Sequence, residues 1–249
     1  MAAVVKIFFI SLQIYKNNTT LSRGLQMIGY LCCMKLIFAT ANLHKLQEAS
    51  EILGPGFELS TPAANGLTDE IPETGNTLEA NSLQKASFIH EHLGVDCFAD
   101  DSGLEVDYLG GAPGVYTARY AAGEPQYKDN LEKLLHVMKD VPWEKRTARF
   151  RAVVTLIIGS EVKQFEGVLE GRIGTERKGN GGFGYDPIFI PNEIPDQVGN
   201  DEACEVGQIR LVPNTEGIAN AELPEGGKNV ISHRGQCMRA MAEYLKSRK

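Results

Sequence analysis

Apolar positions beyond residue 33 fall into short runs and helical stripes that alternate along the chain. Lys35 to Ala39 is a compact apolar run suited to a buried first strand, and Leu43, Leu46, Ala49 and Leu53 then share one helical face that the Gly54-Pro55-Gly56 breaker closes. Ala80, Leu83, Ala86 and Leu93 predict a second helix, and "VDCFA" at 95–99 predicts a strand that delivers Asp100 and Asp101 at its carboxyl end. Tyr127, Leu131, Leu134, Leu135 and Met138 predict a third helix. "ARFRAVVTLIIG" and "VKQFEGVLEGRIG" predict two strands joined by a hairpin turn at Gly159-Ser160, and Met238, Met241, Ala242 and Leu245 mark a final helix. Strands alternating with helices around a central hairpin define an α/β fold with a mixed, strongly twisted central sheet flanked by helices.

Composition narrows the setting. A chain of 249 residues, 43% hydrophobic, holds one sizeable core or two modest domains. A formal charge of -7 argues against broad electrostatic binding to nucleic acid or to an anionic membrane, while leaving room for a local basic pocket. The five cysteines form no CxxC or Cys/His cluster, which fits reduced thiols in a cytoplasm. Residues 1–33 carry an apolar run too short and too interrupted to span a bilayer, with no clean cleavage site, and read as an N-terminal extension outside a domain at 34–249.

Against this background the adjacent Asp100 and Asp101 stand out. Two neighbouring carboxylates repel, so a metal ion, a lysine or arginine, or a proton must compensate them. In open α/β sheets ligands settle beyond the carboxyl ends of strands, where both "TAN" after Phe38 and "DDSG" after Phe98 lie. Thr40 and Asn42 stand at a helix entrance that favours an anion, with Lys45 one turn in, so a phosphate is the natural ligand. The plainer alternative is that Thr40 or Asn42 caps the helix and Lys45 is solvated. A polyphosphate beside carboxylates implies a hard cation such as Mg²⁺, with Asp100 as its ligand and Asp101 free to take a proton from water. Consecutive side chains of a strand point oppositely, and Ser102-Gly103 suggests a turn that would bring both to one ligand. "GNGGFGYDPIF" at 179–189 sets four glycines around Phe183 and Tyr185, faces on which a base can stack, and "KNVISHRG" at 228–235 adds Lys228, Ser232, His233 and Arg234.

In order, "TANLHK", "PETGNTLEANSLQKA", "FADDSGLEVDYLGGAPGVYTARY", "GGFGYDPIF" and "KNVISHRG" closely resemble the inosine triphosphate pyrophosphatase family, from about Met34 onward. The resemblance implies cleavage of ITP, dITP and XTP between the α- and β-phosphates, with Mg²⁺, in a cleft between two lobes of a homodimeric cytoplasmic enzyme. It implies phosphate contacts from the segment Thr40, Ala41, Asn42, Leu43, His44 and Lys45, and metal binding by Glu73, Asp100 and Asp101, with Asp101 also the general base. Ser102, Phe183, Gly184, Tyr185, Asp186, Lys228, His233 and Arg234 would hold the nucleotide. Hypoxanthine and xanthine carry an acceptor at position 6 where adenine carries an amino donor, so donors from His233, Arg234 or the backbone would reward the former. The chain departs from the family pattern between Pro191 and Glu216, where an insertion near 193–214, bracketed by "IPN" and "VPN", is expected as a surface loop, with a lid or dimer contact as the other possibilities. A Maf-like nucleotide pyrophosphatase and a non-catalytic nucleotide-binding module remain the rival functions.

Overall fold

Residues 33–196 and 210–248 are described by the structure, a computed structural model. Among these residues, five helices and nine strands follow in the order Met34–Phe38 (β1), Leu43–Leu53 (α1), Phe57–Ser60 (β2), Leu78–Leu93 (α2), Cys97–Val106 (β3), Pro113–Gly114 (β4), Asn130–Val137 (α3), Thr147–Ile158 (β5), Glu161–Ile173 (β6), Phe189–Pro191 (β7), Glu193–Pro195 (β8), Leu211–Pro213 (β9), Glu225–Ile231 (α4) and His233–Ser247 (α5). The main sheet runs β2-β1-β3-β5-β6-β7, with β4 attached to β3. It is parallel across β2, β1 and β3 and antiparallel from β3 to β7, the mixed sheet expected of the sequence.

Side-chain alternation decides which helix each strand residue meets. Leu36, Phe38 and Phe98 point to one face and share a core with Leu53 of α1 and Met238, Met241 and Leu245 of α5. The rings of Phe38 and Phe98 stack with centroids 4.4 Å apart. Ile37, Ala39, Cys97 and Ala99 point to the other face, against Ala86 and Ile89 of α2. A third core gathers Leu104, Leu134, Met138, Phe150 and Phe189 toward the far end of the sheet. Beside it, the fully buried Arg146 spends its guanidinium on the carbonyls of Met138, Val141, Ile173 and Gly174, tying a loop to the end of β6.

Three expectations change. The strand entering at Cys97 does not end at the aspartates. Its ladder with β5 runs unbroken from Cys97↔Ile157 to Val106↔Ala148, so Ser102-Gly103 makes no turn. Gly103 serves close approach instead, since a Cβ there would lie 2.4 Å from the carbonyl oxygen of Gly114. On α2 the buried face is Leu78, Asn81, Ser82, Lys85, Ala86 and Ile89, while Leu83 of the apolar stripe is exposed. Of the polar members, Asn81 and Lys85 turn inward to Asp101 and Ser82 to Thr155. Tyr127 precedes α3, which starts at Asn130 with the carboxylate of Asp129 accepting from the Glu132 N–H at 2.8 Å.

The insertion enters and leaves as a two-stranded ribbon in which Glu193 pairs with Pro213, and Ile194 is buried in the third core. Its centre, 197–209, lies outside the described residues, as does the N-terminal extension apart from Cys33. Among the described residues no helix is long and apolar enough to cross a membrane.

Candidate active site

Asp100 and Asp101 sit just past the last parallel pair of β1 and β3, Phe38↔Phe98, where the sheet opens on one side. Because the strand stays extended, the alternation that sends Phe98 toward α1 and α5 sends Asp100 the same way, and the one that sends Ala99 toward α2 sends Asp101 there. The pair is therefore split by the sheet.

On the first face, Asp100 is 2% exposed and accepts from two cations. Lys45 Nζ donates to both its oxygens at 2.9 and 3.1 Å, and Arg234 Nε donates to Oδ2 at 3.0 Å. Arg234 also reaches Glu48 of α1 at 3.4 Å. Two carboxylates and two cations leave this face neutral. Burial raises the Asp100 carboxyl, but Lys45 and Arg234 outweigh it and hold the group well below the usual carboxylate range. Arg234 stands in the first turn of α5, where the helix dipole disfavours a cation, and Asp100 offsets that. Ser232 caps the same helix, its Oγ accepting from the Gly235 N–H at 2.9 Å. Beside it, burial and then Arg234 push the imidazole of His233 down to about 3, so the ring is neutral. Its face stacks on Phe150, and its Nδ1 is buried without a hydrogen-bond partner among the described residues.

On the second face, Lys85 Nζ donates to Glu73 Oε1 at 2.6 Å and to Asp101 Oδ1 at 3.2 Å, while Asn81 Nδ2 donates to Asp101 Oδ2 at 3.1 Å. The other end of Asn81 accepts from the Gly75 N–H at 2.7 Å, and that bond fixes the loop carrying Glu73 against α2. Only glycine fits at 75, because a Cβ would stand 2.8 Å from Asn81 Oδ1. Two carboxylates now share one ammonium, so one negative charge is left over. Burial raises the Asp101 carboxyl, Lys85 and Asn81 pull it back, Glu73 pushes it further, and the net shift is upward. Lys85 is itself held protonated: burial opposes the charge, and Asp101, Asp100 and Glu73 overcome it.

The neutral face opens into a cleft of about 790 Å³ lined by Lys45, Glu48, Phe183, Asp186, Lys228, His233 and Arg234, within the usual size of a small-molecule site.

A sequence model of the Ham1 family matches residues 36–244. The chain belongs to the Ham1 family. It is 43% identical to the dITP/XTP pyrophosphatase of Porphyromonas gingivalis over 85% of this chain and 97% of that one, and 41% identical to that of Christiangramia forsetii over 85% and 99%. Its fold is similar to the Staphylococcus aureus Ham1 protein, with a TM-score of 0.71 at 29% identity over 87% of this chain and all of the other. The nucleoside-triphosphatase / dITP/XTP pyrophosphatase from Mycobacterium abscessus aligns with a TM-score of 0.64 at 36% identity over 85% and 99%.

In this Ham1 fold the expected site residues distribute unevenly. Thr40 Oγ1 accepts from the Asn42 N–H at 3.1 Å, and Asn42 Oδ1 from the Lys45 N–H at 3.4 Å, so Asn42 caps α1 as the plainer reading holds. Lys45 is nevertheless more than a solvent-facing side chain: it is part-buried and bound to Asp100. Ala41 and Leu43 are exposed; for His44 only its backbone place in α1 is described. Ser102 lies on the Asp100 side of β3, half-buried. Phe183 is 75% exposed at the cleft, on a loop where Gly184 takes a φ of 57°. Tyr185 is not a cleft residue: it is buried in the third core, its hydroxyl donating to the Thr117 carbonyl at 3.0 Å, and it anchors the loop from beneath. Asp100 is likewise not joined with Glu73. The strand's alternation places them on opposite faces, and Glu73 meets Asp101 instead. Among the described residues no three His, Cys, Asp or Glu side chains gather as a metal cage.

Three residues of the site had no expected role: Glu48, Asn81 and Lys85. Asn81 and Lys85 lie four apart in the quoted "PETGNTLEANSLQKA", the spacing that puts two side chains on one helix face. That spacing was the available signal, hidden because polar residues on a helix default to solvent.

Proposed function

We propose that this chain hydrolyses the hypoxanthine and xanthine nucleoside triphosphates ITP, dITP and XTP to monophosphate and pyrophosphate, clearing them from the nucleotide pool. The observation that supports it best is the split of Asp100 and Asp101 into a neutral, cation-lined face at a nucleotide-sized cleft and an acidic face with one unbalanced charge. An anionic substrate suits the first and a divalent cation the second.

Glu73 and Asp101 fit Mg²⁺, since they are hard oxygen donors from two elements already converging on one cation, and Mg²⁺ binds through one or two carboxylates plus phosphate oxygens and water. When bound, it would neutralise phosphate charge and polarise the attacking water. Asp101, on the acidic face, would accept the proton of the attacking water. Lys85 holds both carboxylates in place. Asp100 stays ionised and positions Lys45 and Arg234, which supply the charge that meets the phosphates. Phe183, Asp186, Lys228 and His233 border the space left for the base. A homodimer in the cytoplasm belongs to the same proposal, and sedimentation at micromolar concentration tests the assembly.

The deciding assay is pyrophosphate release from ITP, dITP, XTP, GTP and ATP. Turnover of the first three well above the last two is expected. Tight binding of ITP without turnover would make the chain a nucleotide-binding module instead.

A further inference from the structure

Lys228 stands apart from the other cations of the cleft. Lys45 and Arg234 are both committed to Asp100, whereas the Lys228 ammonium has no hydrogen bond or ion pair to the protein among the described residues. It lies beside the glycine-rich loop: a Cβ at Gly182 would stand 2.9 Å from its Nζ and one at Gly181 3.3 Å, and all three residues line the cleft. With no side-chain partner to hold it, the ammonium is placed by its backbone, and that backbone is α4.

This helix is poorly equipped to place anything by itself. It has seven residues, Gly226 and Gly227 among them, and Pro224 gives its start no side-chain cap. Helices this short are unstable alone, so neighbours must hold it. They do so at its C-terminus, where the last four carbonyls of a helix lack partners within it and here each finds one. The carbonyl of Lys228 accepts from the Ser232 N–H at 2.8 Å. Those of Asn229 and Val230 accept from Arg239 of α5, from Nη1 at 3.2 Å and Nη2 at 2.7 Å. That of Ile231 accepts from Gln236 Nε2 at 3.0 Å, and the same amide exchanges bonds with the backbone of Val168 on β6 at 2.9 and 3.2 Å. Gly235 makes the junction possible, since a Cβ there would stand 2.7 Å from the Asn229 carbonyl oxygen and 2.9 Å from Arg239 Nη1. A guanidinium also suits this end of a helix because the macrodipole leaves negative charge there, and its planar fork spans two successive carbonyls.

We infer that Arg239, assisted by Gln236, is a positioning residue for Lys228: it fixes the last turn of α4 so that the ammonium meets the bound nucleotide, an inference that rests on the nucleotide reading of this cleft. Arg239 is not among the residues that line the cleft, so it acts only through the helix it holds.

The experiment measures kcat and KM for ITP in the wild-type chain, Arg239→Met, Lys228→Met and the double variant, with Arg239→Lys as the conservative replacement and thermal midpoints confirming that each is folded. Methionine keeps aliphatic bulk and removes the donors. KM is expected to rise about fivefold or more in Arg239→Met, part of the worth of a hydrogen bond to a charged group, with kcat within about twofold of the wild type. Arg239→Lys, which keeps the charge, should recover part of that rise. In the Lys228→Met background, adding Arg239→Met should change KM by less than about twofold, because the side chain it positions is gone. A merely structural role would leave the two effects additive. An unchanged KM in folded Arg239→Met would overturn the inference, and so would a full rise in KM on the Lys228→Met background. If Arg239→Met does not fold, Arg239→Lys takes its place in the cycle, and its effect must likewise vanish with Lys228. Binding of ITP without turnover by the wild type would strike the proposed function alone, and calorimetric Kd values for the same proteins would then read the cycle in place of KM.

Discussion

The two faces of β3 make an instructive pair, because the same residue type at adjacent positions acquires opposite properties. Asp100 is enclosed by Lys45 and Arg234 and kept ionised, whereas Asp101 shares Lys85 with Glu73 and has its carboxyl pushed upward. Nothing in the aspartates themselves differs. The strand's alternation assigns one to α1 and α5 and the other to α2, and the cations those helices carry do the rest. A carboxylate surrounded by two cations organises charge for a ligand. A carboxylate that shares one cation with a neighbour retains capacity for a metal and a proton.

Replacing Asp101 with asparagine should produce the largest effect on this contrast. It preserves shape and removes the proposed base, so turnover of ITP should fall roughly 10²–10⁴-fold, while ITP binding measured by calorimetry changes much less. A loss confined to binding would place the base elsewhere.

Asp100→Asn should act on the fold more than on the chemical step. It leaves Lys45 and Arg234 facing each other with only Glu48 to balance them, and breaking a buried pair on one side costs about 3–5 kcal/mol. Urea unfolding should show that loss, and KM should move more than kcat. If stability is untouched and kcat collapses as in Asp101→Asn, the faces are not distinct.

A smaller, pH-dependent effect sharpens the description of the Asp100 face as one that excludes protons. The folded state holds the His233 imidazole down to about 3, against an ordinary value near 6.5. A depressed value means that the unfolded chain binds the extra proton first. The stability His233 contributes is therefore complete above about pH 6.5 and is lost as pH falls toward the folded value, at up to about 1.4 kcal/mol per pH unit. The stability difference between wild type and His233→Gln, from urea unfolding between pH 7 and 4, should narrow or reverse in that direction. Parallel curves would show that the ring protonates freely in the fold.

Much of this was legible in the sequence. The alternating runs indicated the mixed sheet and its flanking helices, and the motifs indicated which segments converge. What escaped was orientation. Ser102-Gly103 looked like a turn because glycine after serine usually bends a chain, yet Gly103 is small in order to let Gly114 approach an unbroken strand. Asn81 and Lys85 drew no notice because helix faces are sorted by hydrophobicity, a rule that fails where a helix packs against buried charge. With the turn gone and Lys85 inside, Asp100 no longer belongs with Glu73. Tyr185 illustrates the same limit, since an aromatic in a glycine-rich loop can stack on a ligand or anchor the loop, and only the bond to Thr117 tells which.

The division between the faces is tested most directly by the Mg²⁺ dependence of ITP hydrolysis in Glu73→Gln and Asp100→Asn, each titrated from chelator-treated protein to saturation. Glu73→Gln should need several-fold more Mg²⁺ for half-maximal activity, while Asp100→Asn should keep the wild-type midpoint at whatever activity it retains. A raised Mg²⁺ requirement in Asp100→Asn, with Glu73→Gln unchanged, would contradict the assignment of the metal to the Asp101 face.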